Sequence, residues 1–293
     1  MENKKGTVFI ALSALFYATY GIWSRLMAGT FGEFNQAYIR AILLLAILIP
    51  FGILTKGFRK VKREDIGWFV VIACMGGFNQ APFYYGFQYL PVGTATLLFY
   101  CMLTIGAYII GKVFFKENLT KTKYIALVLA VAGLFVIYKF SLTPAQIIPA
   151  LATSVAGLMG ACFVVMSKKL SGNYSETQIL TALAIVMFLG NLVLSIGYHE
   201  VFPIVQISTA WIAEVFYSLA LLTANAFVIE GFKHVEPSVG GVIGLLEVIL
   251  AAVFGVVFFR ELLTVQLLVG SGLLLVSAGL TDAVNIVKKR IAP

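Results

Sequence analysis

The chain has 293 residues, 60% of them apolar and only 12% charged, against about 25% charged in an ordinary globular domain. The charges gather in short clusters between apolar runs of about 18–25 residues, the length that spans a ~30 Å hydrocarbon core. That excludes a soluble domain and points to a polytopic helical membrane protein. The formal charge of +8 does not indicate a nucleic-acid partner, because most Lys and Arg fall in loops of one side, as the positive-inside rule requires.

Hydropathy predicts ten spans, at about 7–27, 34–54, 66–89, 91–113, 121–138, 147–167, 177–197, 208–232, 238–259 and 264–285. The first follows Lys4 and Lys5 but carries Tyr17, Tyr20 and Trp23 and lacks a small-x-small cleavage site. It therefore reads as a structural helix, not a signal peptide. Its Ser13, Tyr17, Tyr20 and Ser24 recur on one helical face. Arg40, near the start of the second span, suits an ion pair or snorkelling, with substrate contact as the alternative. The third span aligns Gln80, Tyr84 and Gln88, with Asn79 beside them and Pro82 as a kink. The fourth aligns Thr96, Tyr100 and Thr104; the eighth aligns Glu214, Ser218 and Asn225 next to Tyr217. Each stripe suits either interhelical hydrogen bonding or the wall of a ligand cavity. The aromatic faces could hold a planar or cationic ligand.

The ninth span carries the sharpest feature, Glu247 near its middle, with Gly240, Gly244, Ala251 and Gly255 on the same face. An acid there costs at least a few kcal/mol, roughly 2.5–3.5 on insertion scales, unless solvated, paired or protonated. It is read as a binding or proton-coupling group, or else as a hydrogen-bonded lock between helices. Cys74, Cys101 and Cys162 lie in apolar runs without metal-ligand spacing, and two histidines, His199 and His234, are too few for a metal site. No metal or cofactor is expected. No phosphate-binding Gly-x4-Gly-Lys-Ser/Thr loop occurs, so gradients rather than ATP would drive any transport.

One stretch occurs twice. Residues 86–120 open with Gly86-Phe87, pass Pro91 and close with Lys116-Glu117-Asn118-Leu119-Thr120; residues 231–264 open with Gly231-Phe232, pass Pro237 and close with Arg260-Glu261-Leu262-Leu263-Thr264. The offset is 145 at the opening Gly and 144 at the closing Glu, which divides the chain into two five-span halves, 1–140 and 141–293. With the N-terminus inside, 17 of the 21 Lys and Arg residues fall on the cytoplasmic side and 3 on the outer side. That split predicts an N-in, C-in topology. Five is odd, so the halves must be inverted, the geometric basis of alternating access. Glu117 and Glu261 then recur at opposite surfaces as gate or packing residues.

Ten spans, two five-helix repeats, Arg40, Leu246-Glu247 and the Glu-x-Leu-Thr closures of the fourth and ninth spans together resemble the drug/metabolite transporter superfamily, specifically EamA-type permeases. The small residue usual before the closing Glu is replaced by Lys116 and Arg260. The resemblance implies secondary transport of small metabolites through a cavity formed by helices 1, 3, 4, 6, 8 and 9, and a multi-pass location of the bacterial inner-membrane type.

The resulting expectation is a secondary active or facilitative carrier for a small organic metabolite such as an amino acid, amine or amphipathic drug. It would work by alternating access, with export as the expected direction and proton coupling possible in principle. Expected substrate-binding residues are Glu247, Tyr17, Tyr20, Asn79, Gln80, Tyr84, Tyr100, Thr104, Tyr217 and Asn225; expected coupling or gating residues are Glu247, Arg40, Glu117 and Glu261. An intramembrane enzyme is disfavoured, because neither histidine is at membrane depth and no span core contains Asp. A sensor or scaffold that does not transport is the alternative. The partners are the bilayer and a small molecule; the sequence leaves monomer and homodimer both open.

Overall fold

The computed structural model describes residues 2–27, 29–138, 140 and 142–291, and every regular element among them is helical. The order is α1 (Glu2–Ala18), α2 (Tyr20–Met27), α3 (Glu33–Leu54), α4 (Arg63–Phe78), α5 (Gln80–Tyr89), α6 (Val92–Phe114), α7 (Lys121–Ile137), α8 (Ile147–Leu170), α9 (Glu176–Gly197), α10 (Thr209–His234), α11 (Pro237–Gly244), α12 (Leu246–Phe259) and α13 (Val265–Ile291). Eight helical stretches are long and apolar enough to cross a membrane, and Val265–Leu280 is a shorter apolar one. Large apolar side chains such as Leu54, Val128, Ile148 and Val193 stand exposed on the outer surface of the bundle. That suits hydrocarbon, where exposing them costs nothing and every backbone polar group must be satisfied within its helix.

Three of the crossing stretches are broken part-way, at Thr19, Asn79 and Leu245. Pro82 accounts for the second break: it has no N–H to offer Phe78, and its ring crowds the preceding turn. The other two occur without proline. Thr19 closes a tight turn on Phe16, with its N–H at 3.2 Å and its hydroxyl at 2.7 Å from the same carbonyl. At the third break Leu245 donates to Val242 (3.1 Å) and Val248 donates to Leu245 (3.0 Å), i→i−3 bonds that tighten the chain just after Gly244.

The repeated closures of α6 and α12 form one local structure twice. Lys116 and Arg260 adopt φ of 51° and 54°, the left-handed conformation that ends many helices and favours glycine. The following N–H of Glu117 reaches back to Gly111 O (3.0 Å), and that of Glu261 to Gly255 O (3.2 Å). Each glutamate then folds its carboxylate over its own glycine, in the space a Cβ would take. The duplicated residues therefore encode a helix terminus with a carboxylate tucked beneath it.

Helices pair closely where small residues meet. α6 lies against α8, α1 against α10, α3 against α9, and α7 against α13. In the last pair a Cβ at Gly270 would lie 2.6 Å from Gly133 O, and one at Gly133 would lie 2.9 Å from Gly270 O. Small residues let two backbones approach this far. Gly→Ala in an open helix adds up to about 1 kcal/mol of stability, but Gly270→Ala must push two helices apart and is expected to cost about 1–3 kcal/mol. Gly272→Ala on the same helix, where a Cβ meets nothing within 4 Å, is the control. Thermal unfolding in detergent should fall for the first variant and hold or rise for the second.

Candidate functional site

A cavity of about 510 Å³ lies in the bundle. Tyr17, Tyr20, Gly21 and Ser24 line it from α1 and α2, Glu33 and Arg40 from α3, and Gly76, Asn79, Gln80 and Tyr84 from α4 and α5. Thr96, Phe99, Tyr100 and Leu103 of α6 form another wall, facing Gly160 and Phe163 of α8, Leu183 and Met187 of α9, and Tyr217 and Asn225 of α10. Tyr138 and the α12 residues Glu247, Val248 and Ala251 complete it. All three helix breaks sit beside this space.

Glu247 occupies the first turn of α12, directly after the break at Leu245. Unpaired N–H groups at a helix start favour a carboxylate. Its Oε1 accepts from the Tyr100 hydroxyl at 2.6 Å. The phenols of Tyr17, Tyr20 and Tyr138 lie within electrostatic reach, and no cation stands at ion-pair distance among the described residues. Tyr17 donates to Asn225 Oδ1 at 2.6 Å. Ring pairs continue the wall: Tyr17 meets Tyr20 edge-on at 5.3 Å, and Tyr20 meets Tyr217 at 4.5 Å.

A second polar group stands on α3 and α10. Arg40 Nη2 lies 3.2 Å from Glu214 Oε2 and 3.2 Å from Gln36 Oε1, with the guanidinium 3.6 Å from the Tyr217 ring centre. Arg40 is 3% exposed and Glu214 0%, so this is a buried ion pair. Gln36 donates in turn to Glu33 Oε2 (3.2 Å), and Gln80 to Glu33 O (3.2 Å).

Of the residues expected from sequence, Glu247, Tyr17, Tyr20, Asn79, Gln80, Tyr84, Tyr100, Tyr217, Asn225 and Arg40 meet around the one cavity. Thr104 does not. It is fully buried below Leu103, where its hydroxyl donates to Tyr100 O at 2.8 Å. Glu117 and Glu261 sit at the two ends of the bundle. Sequence reasoning missed Glu33, Phe99, Tyr138, Leu183 and Met187, and so the part played by α3 and α9 in the lining. Glu33 and Tyr138 were hidden by lying at span ends, and the rest by being apolar among many apolar residues.

The two ends differ. Glu117 pairs with Lys123 (2.8 Å), which also reaches Glu236 (2.9 Å). Glu117 Oε2 caps α11 through the Ser238 N–H (3.1 Å), and the Ser238 hydroxyl donates to Oε1. Lys168 closes over the same place by donating to Val235 O (2.8 Å). This knot joins α6, α7, α8 and α11 and is buried around Glu117 and Lys123. At the other end Glu261 pairs with Arg25, both half-exposed, and Arg25 covers the Phe259 ring at 4.2 Å. The cavity lies toward this second end, reaching Ser24, Glu33 and Tyr138.

A multi-pass helical bundle with a polar, aromatic-walled cavity at membrane depth is the architecture of a membrane transport protein. The model of the EamA-like transporter family matches residues 4–139 and 147–281, and the chain belongs to that family. A protein from Clostridium kluyveri described as an uncharacterized transporter is 23% identical over 169 residues, which cover 56% of this chain and 52% of the relative. The match thus spans about half the length of that relative. A crystal structure of another protein superposes with a TM-score of 0.82 over 99% of both chains at 16% identity, a likeness of fold.

Proposed function

We propose that the chain is a secondary carrier that moves a small organic molecule across the membrane by alternating access, with this cavity as the transport site and Glu247 as the group that binds cargo or proton. The observation that carries the reading is Glu247 itself: an acid at membrane depth, on the cavity wall, without a cation partner among the described residues. Such a group exchanges naturally between a proton and a cationic part of the cargo.

Ten crossings in two inverted halves, 1–140 and 141–293, N-in and C-in, complete the proposal. α7, at 17 residues, and α13 serve as the fifth and tenth crossings. Support for a two-fold relation between the halves comes from paired contacts. Gly133 packs on Gly270, and Ser277 donates to Ala126 O at 2.5 Å. Adding the repeat offset of 144 to Ala126 and Gly133 gives Gly270 and Ser277, so each contact is the image of the other. With the N-terminus inside, the Glu117 knot seals the cytoplasmic end and the cavity faces outward, ready to release cargo in the export direction. In the opposite state the knot opens and the Glu261 end closes.

Gly21 offers a direct test. It lines the cavity, and a Cβ there meets nothing within 4 Å, so Gly21→Phe starts its side chain in open space and is expected to narrow the cavity. In proteoliposomes, counterflow of labelled tyramine or phenylalanine is expected to fall at least about tenfold, equivalent to about 1.4 kcal/mol, with thermal stability held. Flux unchanged by the added ring would rule out this cavity as the path. A wild-type protein that moves neither those probes nor any of a broad metabolite panel would favour a sensor or scaffold.

A further inference from the structure

We infer that the cargo is a small aromatic or amphipathic amine with net positive charge and no carboxylate, an inference that rests on the cavity being the transport site. The first ground is charge. The whole chain carries +8, yet among the described residues the cavity and its ion-pair network hold three carboxyl groups, Glu33, Glu214 and Glu247, against one base, Arg40. With the acids ionised the site is negative inside a positive protein. Fields of one sign in a low-dielectric cleft concentrate the opposite ion.

The second ground is that this base is already committed. Arg40 is neutralised by Glu214, bonded to Gln36, covered on its face by Tyr217 and 3% exposed. Its Nε is buried and has no hydrogen-bond partner among the described residues. An amino acid would have to set its carboxylate among acids, with no uncommitted cation on the cavity wall among the described residues to receive it, and an unpaired buried charge is costly. Glu247, by contrast, has its carboxylate on the wall with a phenol as partner.

The third ground is the wall. Tyr20, Tyr100, Phe99 and Tyr138 line the cavity together with the acid, and aromatic rings attract ammonium groups while accepting an apolar body. A cavity of about 510 Å³ accommodates a molecule with one ring and a short aminoalkyl chain.

Matched pairs isolate the carboxylate. Purified full-length protein is titrated with tyramine against tyrosine, and with phenethylamine against phenylalanine, reading thermal stabilisation and counterflow in proteoliposomes. Each amine is expected to bind at least tenfold more tightly than its amino acid, and phenylpropionate not at all. Equal or tighter binding of the amino acids would overturn the inference while leaving the carrier intact. So would absence of amine binding alongside flux of a neutral metabolite. A protein that binds nothing and moves nothing in either assay would overturn the carrier reading along with it.

Discussion

Glu247→Gln is expected to weaken cargo binding in the proposed carrier and remove its pH dependence without unfolding the protein. Gln keeps the shape of Glu and still offers an oxygen to the Tyr100 hydroxyl, now 2.6 Å from Glu247 Oε1; what disappears is the charge. A hydrogen bond to a charged group is worth about 1.5–3 kcal/mol, so affinity for a cationic cargo should fall about tenfold to a hundredfold. Removing an uncompensated charge from membrane depth relieves a burial cost, so the melting temperature of the empty variant should match or exceed that of wild type. The groups facing Glu247 are the phenols of Tyr17, Tyr20, Tyr100 and Tyr138, with Asn225 beyond Tyr17 and Arg40 already held by Glu214. Among the described residues facing it, the carboxyl is therefore the one group that a proton and a cation contest. Acidifying the cavity side should weaken cargo binding in wild type and leave E247Q indifferent. Measurements of counterflow and binding against pH check this; wild-type flux and pH dependence in E247Q would remove Glu247 from the mechanism.

Much of this site was legible in sequence because membrane depth makes polarity informative. Glu247 stood out as an acid in an apolar run, and Tyr17, Tyr20 and Ser24 share a face at helical spacing that the cavity lining retains. Thr104 shows where spacing stops being enough. It continues the Thr96–Tyr100 stripe, but one turn beyond Tyr100 α6 is packed against neighbours. A Cβ on Gly106 would meet Ala161 Cβ at 2.7 Å, and one on Gly241 would lie 3.9 Å from Thr104 O. The cavity floor lies above it, and only tertiary packing sets that floor. The breaks at Thr19 and Leu245 were silent because local hydrogen bonds make them, whereas Pro82 announced its own. Glu117 and Glu261 looked equivalent in the repeat, and locally they are. Their surroundings differ because Lys123 stands where the second half has Leu267, so only Glu117 gains a buried cation.

Breaking the Arg40–Glu214 pair from one side should destabilise the fold more than any other single change considered above. The two residues are 174 positions apart in sequence, and nothing in either span named the partner of the other. Glu214→Leu leaves a guanidinium buried on α3 without its paired carboxylate, in contact with Gln36 and the Tyr217 face. The expected loss is about 3–5 kcal/mol, the usual penalty for orphaning a buried charge. Arg40→Met orphans Glu214 instead; its Oε1 already lacks a partner among the described residues, so the loss should be similar. The double variant Arg40→Met with Glu214→Leu removes both charges and is expected to recover most of the stability, because a buried ion pair exchanged for apolar groups of like size is often neutral or better. Thermal unfolding of the three variants measures the coupling. Flux then separates two roles for Arg40. A double variant that melts like wild type and still transports would show the pair to be scaffolding between α3 and α10. One that melts like wild type but no longer transports would assign the pair to gating, since the charge would be needed only while the cavity changes sides.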